Sequence, residues 1–135
     1  GSNDLTQYLL AVDRNNTRVA DLYSAYHPSV LRAVRYVVNE VHRVGKTVSI
    51  CGEMAGDPGT AILLMAMGFD SLSMSASNLL KVRKTICHTP LSEAKLLLDE
   101  VLAYDNPVQI RATVEAKLTA LGLIDLIRPQ GARAS

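Results

Sequence analysis

Apolar residues recur at helical spacing over the first third of the chain. Four of them follow the i, i+3, i+4, i+7 rule of a single helix face: Leu5, Tyr8, Leu9 and Val12. Asp4 precedes this face as a predicted N-cap, and a polar loop over 13–16 follows it. A second apolar stripe predicts a helix from Pro28 to Val41, which Gly45 would end in a left-handed turn.

Two short β-rich segments alternate with helices further along the chain. Residues 47–51 alternate as a strand does, residues 52–56 form the loop at its carboxyl end, and residues 69–74 predict a second strand. Between the strands, residues 60–67 are apolar on nearly every face and predict a buried helix. Another helix, running to about Cys87, follows the second strand. This order, with short connections, is typical of right-handed βα units in a parallel sheet.

Two more helices are predicted at residues 91–104 and 108–121, each with a proline at its start. The chain therefore divides into terminal βα units at 1–88, C-terminal helices at 89–122 and a flexible tail at 123–135. Two strands are too few for a stable parallel sheet, and a complete (β/α)8 barrel takes about 250 residues. The predicted fold class is α/β: a C-terminal fragment of a (β/α)8 TIM-type barrel, helix-rich, with extra C-terminal helices.

The composition excludes several classes of protein. Hydrophobic residues make up 48% of the chain and charged residues 20%, which is typical of a globular domain and not of a disordered one. The net charge of +1, the aromatic content of 4% and the absence of Trp argue against a nucleic-acid partner. No apolar run reaches the ~18 residues that a membrane span needs. Two distant cysteines without a CxxC motif indicate reduced thiols and a cytoplasmic location.

Polar groups gather in the segments 1–4, 49–53 and 73–77, where the strands of a parallel sheet would end. Ligands bind at the carboxyl ends of such strands, and the N-termini of the following helices favour anions. Asp4 is either a ligand for a hard divalent cation or only an N-cap. Arg14 either binds phosphate or carboxylate through its forked N–H groups or is a solvated charge. Taken alone, these residues predict an anion site at the strand-end face.

Cys51 is the candidate for chemistry at this face. A thiol at the end of an apolar strand is commonly a small buried hydrophobe, but the flanking Gly52 and Glu53 favour exposure and the role of a proton donor. Cys87, at a helix end, is predicted to be a packing residue. Three histidines lack metal-ligand spacing and are predicted on the surface or in loops: His27, His42 and His88.

Three segments carry a resemblance to a known family: residues 1–15, 51–57 and 68–75. They resemble the C-terminal part of the phosphoenolpyruvate-utilising enzymes, and most of all Enzyme I of the phosphotransferase system in its nitrogen-related form. The resemblance runs from Gly1 to about Leu102, with Ser2 where Enzyme I usually has Thr. Pyruvate phosphate dikinase and phosphoenolpyruvate synthase share elements of the first two segments, and fragments of these enzymes are the alternative.

The resemblance implies a (β/α)8 barrel that binds phosphoenolpyruvate and Mg2+ at its strand-end face. It also implies a role for each matching residue: Asn3 binds the phosphate, Asp4 ligates Mg2+, Arg14 neutralises the phosphate, Cys51 protonates the enolate of pyruvate, and Gly52 and Glu53 shape the substrate loop. Mg2+ is thus the implied cofactor, and phosphoenolpyruvate and pyruvate are the implied ligands.

The activity that the resemblance implies is that of a phosphoenolpyruvate–protein phosphotransferase. Such an enzyme transfers the phosphoryl group to a histidine and then to a histidine phosphocarrier protein, and no histidine of this chain matches the acceptor motif. The fragment alone is therefore expected to be inactive in phosphotransfer. Unpaired strand edges predict a homodimer or a higher oligomer. A structural or dimerisation module without a working site is the alternative of another class.

Overall fold

The computed structural model describes residues 1–127. Within them the chain forms a two-stranded sheet and seven α-helices, with 3₁₀ turns at Ala20–Leu22 and Ile124–Leu126. The elements follow in the order α1 (Ser2–Leu10), α2 (Pro28–Arg43), β1 (Ser49–Cys51), α3 (Glu53–Gly56), α4 (Pro58–Met67), β2 (Ser71–Ser73), α5 (Ala76–Cys87), α6 (Leu91–Leu102) and α7 (Pro107–Ala120). No helix in this part of the chain combines the length and hydropathy needed to cross a bilayer.

The strands β1 and β2 lie side by side in parallel, as the alternation of helices and strands predicts. Three residue pairs define the register: Ser49 with Ser71, Ile50 with Leu72, and Cys51 with Ser73. Ile50 is buried and its neighbours are exposed, so one face of the sheet meets the core and the other presents serine and cysteine. The strands are shorter than the predicted 47–51 and 69–74 because each has only one hydrogen-bonding neighbour in the described residues.

The hydrophobic core lies between α2, α4, α6 and α7. Helix α4 is buried along nearly its whole length, as its apolar sequence predicts, and Asp57 caps it by accepting a hydrogen bond from the Thr60 N–H at 2.8 Å. The core side chains on the other three helices are Val30, Leu31, Val34, Val38, Ala94, Leu97, Leu98, Val101, Ile110, Val114 and Leu118. The helices within 89–122 thus share one core with the residues before them.

A tyrosine and a glycine fix the start of α4. The Tyr26 hydroxyl donates to Asp57 Oδ2 at 2.7 Å, and the Arg111 guanidinium lies over the Tyr26 ring, 5.8 Å from its centre. Burial, followed by the Asp57 carboxylate, raises the pKa of the Tyr26 hydroxyl. Gly59 has no room for a side chain, because a Cβ there would lie 2.4 Å from the Tyr26 hydroxyl. These contacts tie the start of α4 to α7.

Helix α1 departs most from its prediction. The three residues of its predicted inner face that lie within the helix are exposed, Leu5 at 37%, Tyr8 at 81% and Leu9 at 43%. The fourth, Val12, lies beyond the end of the helix and is buried, as predicted. Ser2 and Thr6 are buried in place of these apolar residues, on the side where α1 packs against α2 and α3. The predicted face is wrong because small polar side chains allow the close approach of α1 to its neighbours, and the larger apolar ones are left outside.

Two local predictions near the strand ends are also corrected. Asp4 is not the N-cap of α1, because the helix begins earlier: Gly1 is the N-cap, and its carbonyl oxygen accepts from the Leu5 N–H at 3.1 Å. Asp4 lies instead in the first turn, where the helix dipole favours a carboxylate. Residues 52–56, predicted as a loop, contain the single-turn helix α3.

The C-terminal segment is packed where a flexible tail is predicted to begin. Leu123 is 3% exposed, belongs to the core, and bonds through its N–H to the Leu118 carbonyl oxygen at 2.8 Å. The apolar residues of the 3₁₀ turn that follows pack against the same core. The tail therefore does not begin at residue 123, and the remainder of that prediction, 128–135, lies outside the described residues.

Candidate functional site

Both strands end at one cleft of about 360 Å³. The end of β1 and the start of α3 form one side, and the end of β2 and the start of α5 form the other. The lining residues are Asn3, Cys51, Gly52, Glu53, Ser73, Met74, Ser75 and Asn78. This is the strand-end position at which parallel α/β folds bind ligands.

A second cleft, of about 490 Å³, adjoins the first. It lies between α1, the loop that follows α1, and the start of α3. Its lining residues are Asn3, Arg14, Asn15, Ala20, Tyr23 and Glu53. Because Asn3 and Glu53 line both clefts, they form a common wall between the space around Cys51 and the space around Arg14.

The common wall is built by a hydrogen bond across the chain. Asn3 Oδ1 accepts from the Glu53 N–H at 3.0 Å, and the Ser2 hydroxyl donates to the same oxygen at 3.4 Å. The amide NH2 group of Asn3 makes no hydrogen bond within residues 1–127. It can therefore donate hydrogen bonds to a ligand.

Gly52 allows the close approach that this hydrogen bond requires. Its backbone has φ +111° and ψ −164°, a conformation that is essentially confined to glycine. A Cβ at this position would lie 2.4 Å from Ser2 Oγ and 2.9 Å from Asn3 Oδ1. The glycine therefore sets the distance between α1 and the end of β1.

Arg14 and Glu53 face each other across the second cleft, with Arg14 Nη1 3.5 Å from Glu53 Oε1. Both side chains are exposed, so the pair contributes little to stability and its charges remain accessible to a ligand. The Arg14 backbone N–H donates to Gln7 Oε1 at 3.3 Å, which holds the loop against α1. Next to this pair, the Tyr23 hydroxyl donates to the Asn3 carbonyl oxygen at 3.4 Å.

Cys51 is exposed at the end of β1 and lines the first cleft. The alternative of a buried packing thiol is therefore wrong for this residue. Cys87, predicted to be a packing residue, is also exposed, at the end of α5. Cys87 lines neither cleft.

The three histidines also lie outside both clefts. Their ring nitrogens contact other groups of the chain: His27 with the Ser29 N–H, His42 with Asp70, and His88 with the Lys84 carbonyl oxygen.

Asp4 is the one predicted site residue that lines neither cleft. Its exposed carboxylate lies in the first turn of α1, next to Asn3 in sequence. Residues 1–127 contain no cluster of three acidic, histidine or cysteine side chains that could hold a metal ion. Asp4 therefore fits a hard divalent cation only as a single oxygen ligand, and the other ligands must come from elsewhere.

Two lining residues with polar side chains escape sequence reasoning, Tyr23 and Asn78. Tyr23 follows a 3₁₀ turn in a polar loop, and Asn78 lies in the first turn of α5, where its side chain packs against Gly56. Neither belongs to a motif with a spacing that marks a site. The only feature of the sequence that could have identified either residue is the position of Asn78, a few residues after the end of a predicted strand.

All the residues that line the first or the second cleft lie in the part of the chain that matches a known family. Residues 1–91 match a family model described as PEP-utilising enzyme, PEP-binding domain, where PEP is phosphoenolpyruvate. The chain belongs to this family. The predicted membership of the phosphoenolpyruvate-utilising enzymes is thereby confirmed, and the helices α6 and α7 complete the core of this family member beyond the main part of the match.

Relatives within the phosphoenolpyruvate-utilising enzymes are similar to most of this chain. A protein of Salmonella typhimurium named phosphoenolpyruvate-dependent phosphotransferase system is 40% identical over 128 residues, which are 95% of this chain and 17% of the relative. The phosphoenolpyruvate-protein phosphotransferase of Listeria monocytogenes is 45% identical over 89% of this chain and 21% of the relative. That of Haemophilus influenzae is 42% identical over 85% and 20%. The chain thus spans about a fifth of the length of the curated relatives it matches.

Proposed function

We propose that this chain forms the phosphoenolpyruvate-binding end of a phosphoenolpyruvate–protein phosphotransferase. One observation carries the proposal: an amide, a guanidinium and a thiol from three separate segments meet around two clefts with a common wall. These groups belong to Asn3, Arg14 and Cys51. The family and the names of the relatives supply the class of substrate.

The two clefts suit the two halves of the substrate. In the second cleft, the Arg14 guanidinium offers paired N–H donors for phosphate oxygens, and the Asn3 NH2 group adds a neutral donor from the common wall. In the first cleft, the Cys51 thiol faces the space left for the enolpyruvate carbons. Gly52 and Glu53 shape the loop between them, because the Glu53 N–H holds the Asn3 amide in place.

The proposed role of Cys51 is that of an acid. When the phosphoryl group leaves the enol oxygen, the product is the enolate of pyruvate, whose methylene carbon must gain a proton. The S–H bond of Cys51 breaks as the new C–H bond forms, and solvent returns a proton to the thiolate.

The wider assembly is part of the same proposal. Asp4 would supply one ligand to Mg2+, which when bound neutralises charge on the phosphoryl group. The remaining strands of a (β/α)8 barrel, the acceptor histidine and the histidine phosphocarrier protein would complete the reaction in the cytoplasm. Two sheet edges that no strand within residues 1–127 pairs, together with exposed apolar side chains, favour a homodimer or a higher oligomer; the side chains are Tyr8, Leu9, Leu79 and Leu80.

The substitution Cys51→Ala in the full-length protein tests the proposal. We expect substrate binding to persist, pyruvate formation to slow by about 10²–10⁴-fold, and the pyruvate to be protonated without facial preference. Turnover and the stereochemistry of protonation are measured together with stereospecifically labelled substrate. Cys87→Ala is the matched control, because this second exposed thiol lies outside both clefts.

Unchanged turnover with unchanged stereochemistry in Cys51→Ala would assign the acid role to another group. A wild-type protein that neither binds phosphoenolpyruvate nor forms pyruvate from it would overturn the proposed function itself.

A further inference from the structure

Tyr23 joins the loop that carries Arg14 to the helix that carries Asn3. It follows the 3₁₀ turn Ala20–Leu22, lines the second cleft, and donates its hydroxyl hydrogen to the Asn3 carbonyl oxygen at 3.4 Å. This contact connects residues that are 20 positions apart in the sequence. It therefore fixes a relation that the local backbone cannot fix.

The loop over 13–23 is tied to α1 at both of its ends. At the first end, the Arg14 N–H bonds to Gln7 Oε1, and at the second end Tyr23 bonds to Asn3. Between these two ties, the side-chain hydrogen bonds of the loop join residues only two positions apart. Such local bonds shape the loop, but they do not place it relative to α1.

The Arg14 guanidinium depends on this loop for its position. Its ion pair with Glu53 is exposed, and exposed pairs hold their partners only weakly. Loss of a tie would therefore let the guanidinium move away from the Asn3 amide on the common wall. Cys51 lies in the other cleft and does not depend on the same loop.

The Tyr23 hydroxyl is suited to act as a permanent donor. The residue is half-buried, and burial raises the pKa of its hydroxyl above the ordinary value of 10.0. The hydroxyl consequently stays protonated throughout the neutral range.

The geometry points to Tyr23 as a positioning residue for the phosphate half of the site: it holds the 13–23 loop on α1 so that Arg14 and Asn3 face one cleft. This inference rests on the proposed function and names a residue that acts through others. It also predicts a difference between two ligands. Binding of the phosphate group of phosphoenolpyruvate would depend on Tyr23, whereas binding of the carbon skeleton, which pyruvate shares, would not.

The test compares Tyr23→Phe with Tyr36→Phe in the full-length protein. Tyr36 is 66% exposed on α2 and lines neither cleft, so it is the matched control. In Tyr23→Phe we expect the KM for phosphoenolpyruvate to rise about five- to tenfold, with kcat within about twofold. The inhibition constant of pyruvate, which has no phosphate, should change by less than about twofold. Amide hydrogen exchange over 13–23 should become faster in Tyr23→Phe only.

The outcomes that would overturn the inference can be recognised. Equally weakened binding of phosphoenolpyruvate and pyruvate would show that Tyr23 is a general structural residue. An unchanged KM together with unchanged hydrogen exchange would show that the bond between Tyr23 and Asn3 does not position the loop. If Tyr23→Phe fails to fold, Gln7→Ala cuts the other tie and must produce the same selective weakening. Inactivity of the wild-type protein, by contrast, would count against the proposed function and not against the tie, which hydrogen exchange measures independently.

Discussion

The packed end and the cleft end of this domain are held together by different means. At the packed end, α2, α4, α6 and α7 bury a continuous set of aliphatic side chains, and α4 is enclosed on nearly every side. At the cleft end, α1 and the end of β1 meet through a glycine, an amide and a few hydrogen bonds. Polar Ser2 and Thr6 are buried there while apolar Tyr8 is exposed.

This difference separates the source of stability from the source of chemistry. Burial of apolar area supplies most of the free energy of folding, so the packed end determines whether the domain is folded. The cleft end departs from the usual rules of burial and backbone conformation, as functional sites commonly do. Substitutions at the packed end should therefore change mainly the free energy of unfolding, and substitutions at the cleft end should change mainly ligand binding.

The largest effect on stability is expected at the packed end. Leu63→Ala, in the fully buried α4, should lower the free energy of unfolding by about 2–5 kcal/mol, because it removes buried methyl groups and leaves a cavity. Leu9→Ala on the exposed face of α1 is the matched leucine control and should change stability by less than about 0.5 kcal/mol. Urea denaturation of both variants measures the difference. Equal losses at the two sites would mean that the exposed face of α1 is buried in solution, for instance in an oligomer.

A smaller loss of stability with a larger loss of binding is expected at the cleft end. Gly52→Ala should cost about 1–3 kcal/mol, since alanine is strained at this backbone conformation, and its Cβ must displace Ser2 and Asn3. We expect binding of phosphoenolpyruvate to the full-length protein to be lost, as measured by calorimetry.

Gly45→Ala provides the control for Gly52→Ala. Gly45 also has a positive φ, of +70°, but nothing lies within 4 Å of a Cβ built on it. Its substitution should lower stability by about 1 kcal/mol and leave binding unchanged. Retained binding in Gly52→Ala would show that the wall between the clefts tolerates a shift of Asn3.

The smallest effect is expected at an exposed contact that belongs to neither end. Asp70 Oδ2 lies 3.0 Å from His42 Nε2 and accepts from the Val48 N–H at 2.8 Å. The hydrogen bond with His42, aided by that from Val48, lowers the pKa of Asp70 below 3.8. The ionised carboxylate therefore stabilises the fold above its unfolded pKa, and this contribution is lost as the pH falls through the lowered folded pKa.

Asp70→Asn should accordingly lower Tm slightly at pH 5 to 7, and the difference from wild type should shrink below about pH 4. Thermal scans across this range measure it, with the exposed Asp21→Asn as the control. A difference that grew on acidification would have the wrong sign for a depressed pKa.

The sequence predicts the packed end well and the cleft end only in part. The apolar stripe of α2 is buried against helices of the same chain, so its periodicity shows directly which side faces inward. The sequence of α4 is apolar on nearly every face, which predicts that this helix is enclosed. The exposed thiol of Cys51 was also predictable, because Gly52 and Glu53 follow the strand. The parallel pairing of two strands followed from the alternation of helices and strands.

Two features of the cleft end could not be obtained from local pattern. Leu5, Tyr8 and Leu9 have the spacing of a buried helix face, yet all three are exposed in the described residues. Only tertiary packing shows that Ser2 and Thr6 face inward. Tyr23 acquires its place through a contact with Asn3 that spans 20 residues. Such contacts are set by how the elements approach one another, which periodicity does not record.

The short sheet makes this domain sensitive to changes in chain length. Each strand has three residues, and Asp70 fixes their alignment because its N–H bonds to the Val48 carbonyl oxygen at 3.0 Å. Inserting or deleting one residue between α4 and β2 would move Leu72 to the outer face and leave Cys51 opposite a different neighbour. A change of length should therefore be tolerated better in the turn at Gly45, where an added Cβ meets nothing within 4 Å, than in the segment 68–70.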